Sequence, residues 1–376
     1  MASIVEICEF SPPYVRAIAP YLPGKPISEL AREYGLDERS IIKLASNENP
    51  LGLSPRARAA IEQALPDLAR YPDGNAFDLK AALSRRYGVP QEAIVVGNGS
   101  NDVLEAAASA FLAPGRSSVF SQHAFAVYPL ATQARGAKCI VVPAKNFGHD
   151  LDAMLAAITP DTRIVFVANP NNPTGTFVTA AELESFLARA PKDVLVVLDE
   201  AYNEHLPAKL RYDSVRWLAK HPNLLVTRTF SKAYGLAGLR VGFGLCDPKV
   251  ADLLNRVRQP FNVNSLALAA AVAALDDQAF VAKSCEINST GMRQLEQGFA
   301  ALGLAYIPSV GNFVSFSLPH AGGKAQAAIV YEKLLRQGVI VRPVAGYGMP
   351  DHLRVTVSLP EENARFLASL QTAITH

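Results

Sequence analysis

Short apolar runs, each bounded by turn-forming residues, recur through the middle of the chain. They fall at residues 93–96, 118–120, 139–142, 164–168, 194–198, 224–226 and 241–245. Runs this brief and this continuously apolar predict strands buried on both faces. Helical stretches lie between most of them, for example residues 101–112 and 180–189. The alternation predicts an α/β fold: a large domain with a mostly parallel seven-stranded sheet covered by helices. Upstream, residues 54–65 also read as a helix. After Leu253 the texture changes. Long helical runs at 265–274 and 280–302 precede a smaller α+β pattern, with strands at 312–317, 339–342 and 353–357 and a helix at 325–337. Residues 1–45 form an arm, too rich in proline for continuous helix. Within it a helix is expected at 28–34, capped by Ser28, and a short strand at 41–44. The expected organisation is an arm contributing to the small domain (1–45), a large domain (46–260) and a small C-terminal α+β domain (261–376).

Bulk numbers narrow the function. The chain has 376 residues, 36 basic and 34 acidic, for a formal net charge of +2. That balance offers no broad field for nucleic acid or an anionic membrane. Cys8, Cys139, Cys246 and Cys285 are far apart, and the seven histidines are scattered, so a reducing compartment and no metal site are expected. No apolar run reaches the ~20 residues of a membrane span. The opening Met1-Ala2-Ser3-Ile4-Val5-Glu6 lacks the pattern of a secretion signal. A cytoplasmic protein is the expectation.

Chemistry gathers in four loops, each after a predicted strand, the edge where open α/β sheets bind ligands. Gly97-Asn98-Gly99-Ser100-Asn101 combines a tight turn with a helix start, whose free N–H groups suit a phosphate. It also serves as an ordinary strand-to-helix turn. Asn169-Pro170-Asn171-Asn172-Pro173-Thr174-Gly175 is stiff enough to aim an asparagine inward, or is simply a stiff turn. Asp199, in Asp199-Glu200-Ala201-Tyr202, ends a fully buried run and needs a positive partner or a donor. A helix cap or a protonated ring nitrogen would both answer. The fourth loop, 228–240, reads RTFSKAYGLAGLR. Its Lys232 can form an imine with an aldehyde, while Thr229, Ser231 and Arg240 hold a phosphate. Together the loops ask for a phosphate, a basic aromatic nitrogen, a phenolic oxygen and an aldehyde, and pyridoxal 5'-phosphate has all four.

PYLPGKP, KLASNENPLG, RYPDG, GNGSND, NPNNPTG, DEAY, RTFSKAYGLAGLRVG, VRQPFNVNSLA and LRVTVS occur in that order. With them the chain resembles fold-type I pyridoxal-phosphate aminotransferases, and more narrowly the histidinol-phosphate aminotransferase family, over essentially its full length. The resemblance implies that Lys232 is the Schiff-base lysine, that Asp199 pairs with the pyridinium nitrogen, and that Tyr202 and Asn172 bond the ring oxygen. It implies a phosphate cup of Ser100, Asn101, Thr229, Ser231 and Arg240. Phe125 would stack on the ring where relatives often carry tyrosine. Tyr71 would reach the partner's site in a homodimer. Tyr21, Asn47, Arg342 and Arg354 would bind the substrate. The implied reaction is transamination of L-histidinol phosphate with 2-oxoglutarate in histidine biosynthesis. Related alternatives are an aromatic amino-acid aminotransferase, a threonine-phosphate decarboxylase and a non-catalytic pyridoxal-phosphate sensor. Val357-Ser358-Leu359 departs from the Gly-Thr that relatives commonly carry after the arginine strand, so an altered pocket beside Arg354 is a further expectation.

Overall fold

A computed structural model describes residues 7–318 and 326–375. The opening residues 1–6 and Ala325, the expected first residue of a helix, lie outside the described residues. Thirteen strands are described: β1 (Ile42–Lys43), β2 (Ile94–Gly97), β3 (Ser117–Ser121), β4 (Lys138–Val142), β5 (Thr162–Ala168), β6 (Leu195–Asp199), β7 (Leu224–Thr229), β8 (Gly242–Cys246), β9 (Tyr306–Ile307), β10 (Phe313–Ser317), β11 (Val339–Ile340), β12 (Arg342–Pro343) and β13 (His352–Thr356).

The central sheet has the order β2-β8-β7-β6-β5-β3-β4. Only β8 runs against its neighbours. The strands are apolar on both faces because helices cover both. On one side Ile94, Val96, Phe243 and Leu245 pack with helices Pro55–Ala64 and Ser265–Asp276. On the other, Val95, Phe120, Phe166 and Val197 pack with helix Ser100–Phe111 and its neighbours.

Helix starts follow local chemistry. Ser54 accepts from Ala57 N ahead of Pro55–Ala64, and Thr179 and Glu182 form a reciprocal capping box at helix Ala180–Arg189. The arm helix differs from expectation. It spans Ile27–Tyr34 and begins after Pro26, with no side-chain cap, so Ser28 lies inside its first turn. Pro26 stands at the cap position in extended conformation and offers no side-chain acceptor, so the expected serine cap is not made.

A second sheet, β12-β13-β10-β9, packs on helices Gln278–Ala301, Gln326–Arg336 and Pro360–Thr375 around Phe299, Phe316 and Phe366. The expected single strand at 339–342 divides into β11 and β12. β11 turns instead to the arm and pairs parallel with β1, Ile42 opposite Val339.

Candidate active site

One antiparallel strand decides where the site lies. β2, β5, β6 and β7 deliver their C-terminal ends to the same edge of the sheet. Because β8 runs the other way, its start arrives at that edge too, with Gly242 opposite both Gly97 and Thr229. Arg240, two residues earlier, therefore stands beside Ser231 and Gly99. A Cβ on Gly242 would lie 2.4 Å from Ser100 N, so only glycine lets the two loops approach this closely. Gly99 (φ 81°) has a Cβ position 2.5 Å from Arg240 Nη2. The guanidinium occupies the space a side chain there would fill.

These loops and the second sheet enclose a cavity of about 350 Å³. At its phosphate-like end, Ser100 and Asn101 open helix Ser100–Phe111 with no side-chain cap of their own. Thr229 Oγ1 accepts from Ser231 N at 3.1 Å, and Arg240 Nη1 donates to Ala237 O at 3.0 Å. Backbone donors, hydroxyls and a guanidinium thus converge at one point.

Asp199 lies at the floor, 4% exposed. Tyr128 donates to its Oδ2 at 2.9 Å and Thr227 to its Oδ1 at 3.1 Å. Neither partner is a cation, and burial pushes the carboxyl above its ordinary range. A protonated ring nitrogen would supply the missing positive charge. Tyr202 is buried beside it, its hydroxyl accepting from Asn47 Nδ2 at 2.9 Å. Burial raises that phenol to about 12, against a smaller pull downward from Arg354. Asn47 is itself held in a left-handed conformation (φ 55°) by Thr356, whose Oγ1 accepts from Asn47 N at 2.9 Å.

Lys232 Nζ donates to Ser46 O at 3.1 Å. Burial, and after it repulsion from Arg354, lower its pKa to about 8. Of the three asparagines in the Asn-Pro loop, two hold the loop itself. Asn169 Nδ2 donates to Val178 O at 2.9 Å and Asn171 Nδ2 to Thr174 Oγ1 at 2.7 Å. Asn172 alone faces the cavity, its Oδ1 accepting from Arg354 Nη1. Both Asn–Pro peptides are cis.

Arg354 and Arg342 are register partners on β13 and β12. Arg354 is 5% exposed and donates to Ala45 O at 2.8 Å, and its buried Nε has no partner among the described residues. Arg342 donates to Leu22 O at 2.7 Å, with its guanidinium 5.4 Å from the centre of the Tyr21 ring. Two guanidiniums side by side repel each other, and burial with Arg342's charge lowers the pKa of Arg354. An anion between them would relieve both.

All the sequence-expected site residues line this cavity except Tyr71. Tyr71 is 83% exposed and stacks on Phe261, ring centroids 4.9 Å apart. Phe125 lines the cavity, edge-on to Tyr128. Sequence reasoning missed Tyr128, Thr227, Thr356 and Tyr347. The departure at Val357-Ser358 does not reach the cavity lining. Val357 packs in the second core, where a Cβ on Gly291 would meet its Cγ1, and Ser358 bonds Glu362 and Asn363 at the start of helix Pro360–Thr375.

The donor set fits a phosphorylated pyridine aldehyde: an amine of lowered pKa, a buried carboxylate lacking a cation, a hydroxyl-and-guanidinium cup and an aromatic wall. Among the described residues no cluster of three or more His, Cys, Asp or Glu could hold a metal. No single described helix is long and apolar enough to cross a membrane.

The chain is similar to known proteins over nearly its whole length. Residues 39–370 match the family model for aminotransferase class I and II. The chain is 62% identical over 370 residues to histidinol-phosphate aminotransferase 2 of Nitrosospira multiformis, covering 98% of this chain and 93% of that protein. It is also 62% identical to the histidinol-phosphate aminotransferase of Methylobacillus flagellatus, covering 98% of each. Among solved structures, histidinol-phosphate aminotransferase from Sinorhizobium meliloti in complex with pyridoxal-5'-phosphate superposes with a TM-score of 0.89 at 29% identity, covering 99% of each chain. An aspartate aminotransferase mutant of Thermus thermophilus gives 0.82 at 25% identity, covering 96% of this chain and 99% of that one.

Proposed function

This chain belongs to the class I and II aminotransferases and, within them, to the histidinol-phosphate aminotransferase family, and we propose that it transfers the amino group of L-histidinol phosphate to 2-oxoglutarate. The products are imidazole acetol phosphate and L-glutamate, in cytoplasmic histidine biosynthesis. Its cofactor is pyridoxal 5'-phosphate. Bound, that group supplies a carbonyl carbon for the donor's amine and a protonated ring that accepts the electron pair left at the donor's Cα.

Lys232 would hold the carbonyl carbon through Nζ. Asp199 would keep the proton on the ring nitrogen, and Tyr202 and Asn172 would bond the ring oxygen. Ser100, Asn101, Thr229, Ser231 and Arg240 would hold the phosphate, with Phe125 against the ring face. Freed when the donor's amine takes its place on that carbon, Lys232 Nζ would then take the proton from the donor's Cα. A pKa near 8 suits a base working close to neutrality, because an ordinary lysine is almost wholly protonated there.

The Arg342–Arg354 pair carries the substrate reading. A buried guanidinium with an unpartnered Nε beside a second guanidinium is a strong site for a phosphate or a carboxylate. One such pair accepts both the donor phosphate and the distal carboxylate of glutamate. Tyr21 and Asn47 complete the wall. Tyr71, exposed on its own protomer, supports a homodimer in which it reaches the partner's site. The test is the KM for L-histidinol phosphate and for L-phenylalanine in Arg342→Gln and Arg354→Gln. The expected result is a rise of at least about tenfold for the phosphorylated donor. An unchanged KM for it in both variants overturns the reading.

A further inference from the structure

One buried side chain outside the cavity ties three of its walls together. His123 follows β3 and precedes Phe125 by two residues. Its ring Nδ1 lies 2.7 Å from the main-chain oxygen of Tyr347. A carbonyl oxygen can only accept, so Nδ1 carries the proton and donates. The main-chain oxygen of His123 in turn accepts a 2.8 Å bond from Asn171 Nδ2, the residue before Asn172. The ring is 8% exposed. It packs beside Phe147, centroids 5.9 Å apart, and Phe147 meets His352 edge-on at 5.5 Å.

The far end of this bond matters to the substrate. Tyr347 closes a single turn, Ala345–Tyr347, that follows β12. Its side chain lines the cavity beside Arg342 and Arg354. Burial raises its phenol, and the charges of Arg354 and Arg342 pull it back, as expected for a hydroxyl facing both guanidiniums. A turn of three residues has little rigidity of its own. An external donor to its last carbonyl fixes where the phenol stands.

We infer that His123 is a positioning residue: its Nδ1–H bond to Tyr347 O holds the Tyr347 phenol at the anionic end of the donor and locks that turn to the segment carrying Phe125 and Asn172. The inference rests on the reading of the cavity as a transaminase site for a phosphorylated donor. Nδ1–H donates in both the neutral and the charged ring, so the bond persists across the working pH range.

The test compares His123→Ala, His123→Asn and His123→Gln in the holoenzyme. An asparagine Nδ2 occupies the place of Nδ1 and can still donate to Tyr347 O, whereas a glutamine amide reaches the place of Nε2. His123→Ala and His123→Gln should raise the KM for L-histidinol phosphate about tenfold, the loss of one buried hydrogen bond, with kcat and cofactor absorbance little changed. His123→Asn should recover most of the loss. Tyr347→Phe should raise KM similarly, and His123→Ala combined with Tyr347→Phe should be no worse than either alone. An unchanged KM in His123→Ala, equal effects of Asn and Gln, or additive effects in the double variant would overturn the inference. Should His123→Ala fail to fold, the contrast between Asn and Gln still decides. Wild-type protein that prefers another donor overturns the donor reading alone, and the same KM comparison with that donor then decides the role of His123.

Discussion

Lys232 is the residue whose behaviour can be worked out most fully before any substrate is added. Its amine is buried, donates to Ser46 O at 3.1 Å, and shares the cavity with Arg354. Burial first, and Arg354 second, lower its pKa from 10.5 to about 8. At pH 7 about one such amine in ten is neutral, against roughly one in three thousand for an ordinary lysine, an enrichment of roughly 300-fold in the nucleophilic form. The assay is a brief pulse of acetic anhydride on cofactor-free protein between pH 6 and 11. Mass spectrometry then follows acetylation of the peptide carrying Lys232, normalised to a model lysine peptide. The expected half-maximal rate lies near pH 8. In Arg354→Gln the midpoint moves upward, because one repelling charge is gone. A wild-type midpoint at or above 10 would refute the reasoning.

Further outcomes follow from the same geometry. Asp199→Asn should retain cofactor absorbance but lose kcat by about 10²–10³, because a preorganised charge is removed from the site; a loss below tenfold would leave the aspartate without its role. Gly99→Ala places a Cβ against Arg240, so cofactor affinity should fall about tenfold for a weakened phosphate contact, read by equilibrium titration with the melting temperature as a control. Arg228→Ala strands Glu200, which is 0% exposed and bonded by Arg228 at 2.8 and 3.0 Å. Urea unfolding should show a loss of about 3–5 kcal/mol.

Much of the fold was legible because both of its signals are local. Buried parallel strands are continuously apolar, and helices between them carry their own caps, as at Thr179 and Glu182. The loops after β2, β5, β6 and β7 could be named as chemical from residue type alone. Arg240 was legible as a cation near Lys232, but its placement depends on β8 running antiparallel, which no residue pattern announces. Tyr128 was hidden for a different reason. Stacked on Phe166 at 4.6 Å, it has the sequence character of a core aromatic, and only packing brings its hydroxyl to Asp199. Thr227 sits inside an apolar strand and reads as a strand residue. Thr356 and Asn47 are far apart in sequence, so their bond is visible only once β13 and the arm are folded together. Val357 looked like a change to the pocket because it is near Arg354 in sequence. Successive strand residues point to opposite faces, and alternation of this kind sends neighbouring residues to the core and the cavity.

The most direct measurement is a set of single turnovers of the pyridoxal-phosphate enzyme, following the visible absorbance of the bound cofactor after mixing with L-histidinol phosphate, L-phenylalanine or L-glutamate at equal concentration. Fastest reaction with L-histidinol phosphate, by at least about tenfold, and loss of that preference in Arg354→Gln are the expected results. Equal or faster reaction with L-phenylalanine would contradict the assignment of the Arg342–Arg354 pair to a substrate phosphate, while leaving the roles of Lys232 and Asp199 intact.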